Sequence, residues 1–245
     1  MCNDNNEERG KFYAIGLGPG DPDLLTVKAV KILKSVDSII VPKARIKSES
    51  VARDIVSRAL GKKLPFIEMV FPMSRDKKRC GNHWDGGADV ILKLLYSGKD
   101  VAFVTLGDVS LYSTFSYLET ALRKKDKSIK TELIPGISSV QLAAVKFEKP
   151  LALGDETYGV YPLPSNISNL DSALVEHETI MIMKIGGRLG ELKSYLQNKG
   201  LLNSSGFIRR AGFPNEYLSH SLENINEKET GYLSIVMVRR GAVKQ

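Results

Sequence analysis

Residues 11–21 read KFYAIGLGPGD, and this segment gives the first indication of the fold. An apolar, aromatic run that ends in glycines is typical of a buried strand entering a tight loop. The apolar spacing of residues 24–35 then predicts a helix. In an open parallel sheet, ligands bind at such a strand end, because the bare glycine backbone lets them approach closely. A tight turn that binds nothing is the alternative.

The spacing of the glycines argues against a dinucleotide site. Gly16, Gly18 and Gly20 form G-x-G-x-G, whereas the dinucleotide fingerprint is G-x-G-x-x-G. The fingerprint also needs an acidic residue at the end of the second strand. Here the second predicted strand, residues 38–42, is stopped by proline and followed by Lys43. A nucleotide-binding oxidoreductase is therefore disfavoured.

Two later strand ends carry similar glycine-bearing segments. LGDVSLY (106–112) follows a strand predicted at 100–106, and IPGISS (134–139) follows one at 130–134. Asp108 can accept hydrogen bonds from a ligand, whereas Ser110, Ser138 and Ser139 serve equally well as helix caps. Because parallel strands end at one edge of a sheet, the three segments can line one cleft.

The remaining pattern predicts two α/β domains, 11–139 and 140–245. Strands and helices alternate in the first, which indicates a mainly parallel sheet. Its further elements are a strand at 64–73 and helices at 50–60, 88–96 and 113–124. The second is predicted as a smaller mixed sheet, with strands at 158–163, 179–185, 205–209 and 232–239 and helices at 165–176 and 189–199.

Composition excludes several classes of protein. The sequence contains no run of about 18 apolar residues, which a membrane span would need. Its Asn- and Glu-rich N-terminus is unlike a signal peptide. Cys2 and Cys80 are too few for a disulfide framework, and no Cys or His cluster predicts a metal site. We therefore expect a cytoplasmic protein. The net charge of +7 suits an acidic partner.

Several motifs in order resemble one known family. GLGPGD (16–21), TLGDVSLYSTFSYL (105–118) and PGISS (135–139) look like the motif set of the tetrapyrrole (corrin and porphyrin) methylases. FPM (71–73), MK (183–184), RAG (210–212) and GYLSIVMVRR (231–240) resemble its precorrin-2 and cobalt-factor II C20-methyltransferase branch. The resemblance covers residues 12–240. It implies two α/β domains around a cofactor cleft and a homodimer.

The resemblance also implies a cofactor, S-adenosylmethionine, with S-adenosylhomocysteine as its product. Carried onto this chain, the family motifs predict cofactor contacts in both domains. The residues concerned are Pro19, Gly20, Gly107, Asp108, Ser110, Leu111, Ser138, Ser139, Met183 and Ala211. Met183, in an apolar strand, also suits a simple core position.

The implied reaction is methylation of C20 on precorrin-2 or cobalt-factor II, an anionic tetrapyrrole. Arg75 and Lys77 are candidates for pairing with its carboxylates, although a solvated loop explains them as well. Tyr112 and Glu156 are candidates for substrate contact or for a base, and no residue is assigned as catalytic. Trp84 suits either a packing role or a stacking platform.

One position departs from the family pattern, which usually reads Gly-Asp-Pro where this chain has Gly107-Asp108-Val109. Valine restores a backbone N–H and frees φ, so the turn is expected to be less rigid.

Alternative functions within the same fold are methylation of C11, C17 or uroporphyrinogen III, and methylation of RNA or diphthine. A tetrapyrrole sensor without activity is another. RNA is disfavoured because basic and aromatic residues do not interleave.

Overall fold

The computed structural model describes residues 9–43, 49–71, 77–223, 225 and 233–240, with the backbone alone at 77–80 and at 82. The chain divides into two compact units between Ser138 and Ser139. None of the helices in these described ranges combines the length and apolar character that a bilayer crossing requires.

The first unit contains a five-stranded sheet in which every pair of neighbouring strands is parallel. The strands lie in the order β3-β2-β4-β1-β5 and are β1 (Phe12–Gly16), β2 (Ser38–Lys43), β3 (Phe66–Val70), β4 (Val101–Thr105) and β5 (Thr131–Ile134). The connecting helices described are α1 (Val27–Ser35), α2 (Val51–Leu60), α3 (Lys77–Tyr96) and α4 (Phe115–Lys125). The parallel sheet predicted from the sequence is confirmed.

The apolar pattern explains why β1 and β4 lie inside this sheet. All residues of β4 are buried, as parallel strands covered on both faces require. Local signals fix the helix ends. Thr26 Oγ1 accepts a hydrogen bond from the backbone N–H of Ala29 and so caps α1. Helix α2 ends at Gly61, whose φ of 96° favours glycine.

The second unit contains a mixed five-stranded sheet in the order β6-β7-β10-β8-β9. Its strands are β6 (Tyr158–Pro162), β7 (Thr179–Met183), β8 (Ser205–Arg209), β9 (Tyr217–Ser219) and β10 (Ser234–Arg239). β6 and β7 are parallel, and the other pairs are antiparallel. The helices described are α5 (Ser139–Lys146), α6 (Leu170–Glu176) and α7 (Leu189–Asn198). The mixed sheet predicted for this part of the chain is confirmed.

Several predicted boundaries were wrong. Helix α1 begins at Val27, not at residue 24, because Pro22–Leu24 forms a separate 3-10 turn. Strand β2 continues through Pro42 to Lys43. The proline is tolerated because β2 pairs with β4 only at residues 38–40, so Pro42 needs no N–H on that side.

Three elements differ more strongly from the prediction. Helix α3 begins at Lys77, eleven residues before the predicted start at Ala88. The glycines within α3 weaken the helical pattern of the sequence, so its first half was not predicted. Gly87 is needed there because a Cβ at this position would lie 2.9 Å from the Phe71 ring. Helix α5 and strand β9 were not predicted.

Candidate functional site

The three glycine-bearing segments of the first unit meet at the carboxyl edge of its sheet. A Cβ on Gly16, at the end of β1, would lie 2.7 Å from both Gly107 O and Gly136 N. A Cβ on Gly136 would in turn lie 2.7 Å from the carbonyl carbon of Gly16. The three backbones are therefore packed directly on one another. The convergence expected from the parallel topology is present in the structure.

Two of these loops are also joined by a reciprocal pair of hydrogen bonds. The N–H of Gly107 donates to Gly18 O at 2.7 Å, and the N–H of Gly18 donates to Gly107 O at 3.1 Å. Both glycines have a left-handed φ, 76° for Gly18 and 74° for Gly107. A side chain would strain either position. Among the described residues, apart from its two chain neighbours, no atom lies within 4 Å of where a Cβ of Gly107 would point, so its backbone faces open space on this side.

The carboxylate of Asp108 ties the second loop to the third. Its Oδ2 accepts a hydrogen bond from the N–H of Gly136 at 2.9 Å. Its Oδ1 accepts from the backbone N–H of Ser110 at 2.8 Å and from the Ser110 hydroxyl. Burial raises the pKa of Asp108, but these hydrogen bonds outweigh burial, and the pKa lies below its usual value. Asp108 therefore stays ionised and fixes the geometry of the loops.

Ser110 does not cap the following helix, so that interpretation was wrong. Helix α4 begins at Phe115, and the N–H of Phe115 donates to Ser113 Oγ at 3.1 Å. The Ser110 side chain is instead exposed and turned back to Asp108. Ser110 is therefore part of the loop that Asp108 holds.

Val109 stands where the family pattern usually has proline. Its side chain is buried in the apolar core of the first unit. Its backbone N–H, which a proline would lack, is a hydrogen-bond donor to the Asp108 carboxylate. Valine at this position therefore supplies a donor that proline lacks, and the turn keeps its carboxylate anchor.

The first loop is held by a side chain that the sequence analysis missed. Arg58, in the last turn of α2, donates from Nη2 to the carbonyl oxygen of Gly20 at 2.9 Å. Pro19 and Gly20 are both buried. No sequence signal distinguishes Arg58 from other helix-end cations, because only the fold brings α2 to this loop.

The remaining predicted residues of this unit have clear positions. Leu111 is half-buried, and Tyr112 is 43% exposed with a left-handed φ of 51°. Burial raises the pKa of the Tyr112 hydroxyl, so it is protonated at neutral pH. Ser138 is buried and directly precedes α5, of which Ser139 is the first residue. Arg75 lies outside the described residues, and only the backbone of Lys77 is described.

Met183 and Ala211 lie at one edge of the second sheet. Ile235 of β10 pairs with Met183 on one side and with Ile208 on the other, and Ala211 follows shortly after Ile208. Met183 is half-buried and Ala211 is buried. The structure therefore brings the ends of β7 and β8 to the edge where β10 begins.

Backbone strain accumulates at this edge of the second sheet. Lys184, Arg210 and Leu233 have left-handed φ values of 54°, 53° and 67°. The N–H of Arg210 donates to Leu233 O at 2.8 Å. Non-glycine residues in this region are uncommon and concentrate at functional sites. The edge that carries Met183 and Ala211 is thus a candidate binding edge on geometry alone.

Glu156 does not belong to that edge. Its Oε2 accepts from Arg239 Nη2 at 2.6 Å and from the N–H of Leu153 at 2.9 Å. Arg239 is buried, pairs with Thr179 across the sheet and donates to Thr179 Oγ1 at 2.8 Å. This is the start of β7, whereas Met183 is its end. The structure does not bring Glu156 together with Met183 and Ala211.

Comparison with known proteins identifies the family. Residues 11–225 match the model of the Tetrapyrrole (Corrin/Porphyrin) Methylases. A probable cobalt-precorrin-2 C(20)-methyltransferase of Methanocaldococcus jannaschii is 36% identical, covering 94% of this chain and 96% of the relative. The cobalt-precorrin-2 C(20)-methyltransferase of Salmonella typhimurium is 32% identical, covering 94% and 97%. Both names agree with the branch predicted from the motifs.

Solved structures show the same fold. A cobalt precorrin-4 methyltransferase matches with a TM-score of 0.70 at 20% identity, covering 94% of each chain. The uroporphyrin-III C-methyltransferase of Thermus thermophilus, in complex with S-adenosylhomocysteine, matches with a TM-score of 0.63 at 20% identity. It covers 94% of this chain and 97% of that one. From its motifs, its sheets and these matches, the chain belongs to the tetrapyrrole (corrin and porphyrin) methylases and is a methyltransferase.

Proposed function

We propose that this protein transfers a methyl group from S-adenosylmethionine to C20 of cobalt-bearing precorrin-2 in cobalamin biosynthesis. The observation that carries the proposal is the junction of Gly16, Gly107 and Gly136, built from the family motifs in a chain with C20-methylating relatives at 36% and 32% identity. A relative from a Sinorhizobium species whose name carries no cobalt, precorrin-2 C(20)-methyltransferase, is 27% identical. The lower identity favours the cobalt-bearing substrate.

The first unit supplies one set of proposed cofactor contacts. Gly107 suits a ligand because its left-handed backbone faces open space. The neighbouring contacts proposed are Pro19, Gly20, Asp108, Ser110, Leu111 and Ser138. Asp108 acts here mainly through the loops, since both of its oxygens already accept hydrogen bonds within the site.

The second unit supplies another set of proposed contacts, Ser139, Met183 and Ala211. The half-buried Met183 side chain and the small, buried Ala211 suit an apolar ring such as adenine. The left-handed residues beside them hold the strand ends in one conformation. Glu156 is left out, because its carboxylate is bound by Arg239 at the other end of β7.

The bound cofactor supplies a sulfonium-linked methyl group that is already a strong electrophile. The residues of this chain therefore have to bind, orient and exclude water, and positioning of reactants alone is worth up to ~7–11 kcal/mol. Asp108 keeps the loops fixed while ionised, and Tyr112 is protonated at neutral pH. No described residue is assigned here as a base.

The substrate is an anionic macrocycle, and the net charge of +7 suits it. Lys77, at the start of α3, and Arg75 are proposed carboxylate contacts. The proposal includes a homodimer, which the family resemblance implies, and a cytoplasmic location, which the presence of only two cysteines favours. Sedimentation equilibrium tests whether the protein is a homodimer.

The test compares substrates under identical conditions. Purified protein is incubated with S-adenosylmethionine and, separately, with cobalt-bearing precorrin-2, metal-free precorrin-2, uroporphyrinogen III and RNA, and products are followed by mass spectrometry. We expect one added methyl group, formed fastest on the cobalt-bearing substrate and suppressed by excess S-adenosylhomocysteine. Methylation of uroporphyrinogen III or RNA alone would contradict the proposal.

A further inference from the structure

Three aromatic rings form a stack on the α3/α4 side of the first unit. The rings of Phe71 and Trp84 are nearly parallel, with centroids 4.2 Å apart and an interplanar angle of 9°. Tyr117 also stacks against Trp84, with ring centroids 5.7 Å apart and an interplanar angle of 28°. Trp84 thus contacts both rings and is 8% exposed. Of its two suggested roles, packing is the one the structure shows.

The outer end of the stack is open. Tyr117 is 64% exposed, although its ring lies against the buried Trp84. A large aromatic side chain in this position presents a flat apolar surface to solvent. Planar conjugated molecules stack favourably on such a surface.

The stack lies toward the edge of the sheet that carries the glycine loops. Phe71 directly follows β3 at the carboxyl edge. Tyr117 lies in the first turn of α4, and the loop from Gly107 to Tyr112 runs into that helix. Trp84 lies in the first half of α3, which runs back from the same edge. The exposed ring is therefore close in sequence and in topology to the proposed cofactor loop.

The sequence at the start of α3 is basic, which suits an anionic ligand. Helix α3 begins with Lys77, Lys78 and Arg79 and has no acidic residue in its first turn. Lys77 precedes Trp84 in α3 by seven residues, which is two helical turns. Basic residues at this helix start would add carboxylate attraction to the stacking that Tyr117 offers.

Resting on the proposed function, we propose that Tyr117 is the stacking platform for the conjugated ring of the tetrapyrrole substrate. Trp84 and Phe71 act as positioning residues beneath it, because they fix the orientation of the tyrosine ring. The ligand recognised is a conjugated macrocycle with peripheral carboxylates. Tyr117 then contributes to substrate affinity and not to cofactor affinity.

The experiment measures binding of uroporphyrin III, a stable octacarboxylic tetrapyrrole, to the full chain. Trp84 is the single tryptophan of the protein, so quenching of its fluorescence reports binding, together with the shift of the porphyrin absorption band. The variants are Tyr117→Phe, which keeps the ring, and Tyr117→Leu, which keeps only an apolar cover. Tyr158→Leu, at a 43% exposed tyrosine in β6, is the matched control.

We expect Tyr117→Leu to weaken uroporphyrin binding about tenfold, the size of effect that loss of an aromatic stacking partner has on planar bases. Tyr117→Phe and Tyr158→Leu should bind within about twofold of the wild type. Calorimetry with S-adenosylhomocysteine should give equal affinities for all variants, and thermal unfolding checks that each is folded.

Wild-type affinity in Tyr117→Leu, or equal losses in Tyr117→Leu and Tyr158→Leu, would overturn this inference and leave the proposed function intact. Another result would reject both the stacking role of Tyr117 and the tetrapyrrole substrate class. This result is a wild-type protein that binds S-adenosylhomocysteine but not uroporphyrin III.

Discussion

At the scale of single residues, the glycines of this chain fall into two groups. Gly16 and Gly136 are needed because another backbone occupies the place of their side chains. Gly86 is exposed within α3, and outside its own stretch of helix no atom of the described residues lies within 4 Å of where its Cβ would be. The sequence does not separate these groups, since both lie in glycine-rich segments. The structure predicts that a Gly→Ala substitution lowers the unfolding free energy in the first group and raises it at Gly86.

The first prediction compares Gly16→Ala with Gly86→Ala. The new methyl at residue 16 would overlap Gly107 O and Gly136 N, which are backbone atoms and move only with their loops. We expect a loss of about 1–3 kcal/mol in unfolding free energy and weaker S-adenosylhomocysteine binding. Gly86→Ala should gain up to about 1 kcal/mol, because alanine favours the helix.

Denaturant unfolding and calorimetry measure both quantities. If Gly16→Ala proved as stable as the wild type and bound S-adenosylhomocysteine equally well, the close junction of the three loops would be contradicted.

At the scale of elements, Asp108 joins the loop after β4 to the loop after β5. Its bonds to Ser110 and Gly136 are made by the ionised carboxylate, whose pKa is lower in the folded protein than in the unfolded chain. A lowered folded pKa means that this stabilisation is complete above the unfolded pKa of about 3.9. It is lost as the pH falls through the folded value.

The second prediction concerns Asp108→Asn. Asparagine has one acceptor oxygen and an NH2 donor in place of the second, so one of the N–H groups that Asp108 binds loses its acceptor, at a cost of about 1–3 kcal/mol at pH 7. The stability difference from the wild type should shrink as the pH falls below about 4. Asp85→Asn, at an exposed position in α3, is the control and should change little. A difference that stays constant down to pH 2 would exclude the ionised anchor.

The elements also show what the sequence can predict. The strand ends, the parallel topology and the meeting of three motifs follow from hydrophobic pattern and glycine placement, because both are local signals. The start of α3 does not, since Gly81, Gly86 and Gly87 weaken its helical pattern and the Phe71 ring that explains Gly87 is distant in sequence. Arg58 at Gly20 and Glu156 beside Arg239 depend on tertiary contacts, so their roles required the structure.

At the scale of the whole molecule, the chain combines a parallel sheet and a mixed sheet, each with a strained or glycine-rich edge. Residues in left-handed conformations mark both edges, Gly18 and Gly107 in the first unit and Lys184, Arg210 and Leu233 in the second. Such positions persist where the surrounding structure fixes them, which suits loops that must hold a ligand in one orientation. Methyl transfer demands that kind of positioning.

The position of the transferred methyl group on the ring tests directly whether this protein methylates C20. Metal-free precorrin-2 carrying ¹³C at its meso carbons gives diamagnetic spectra, and the protein is supplied with S-adenosylmethionine labelled with ¹³C in the methyl group. We predict a new methyl signal with one-bond carbon coupling to C20 alone. Coupling to another ring carbon, or a methyl signal without coupling to any meso carbon, would contradict it.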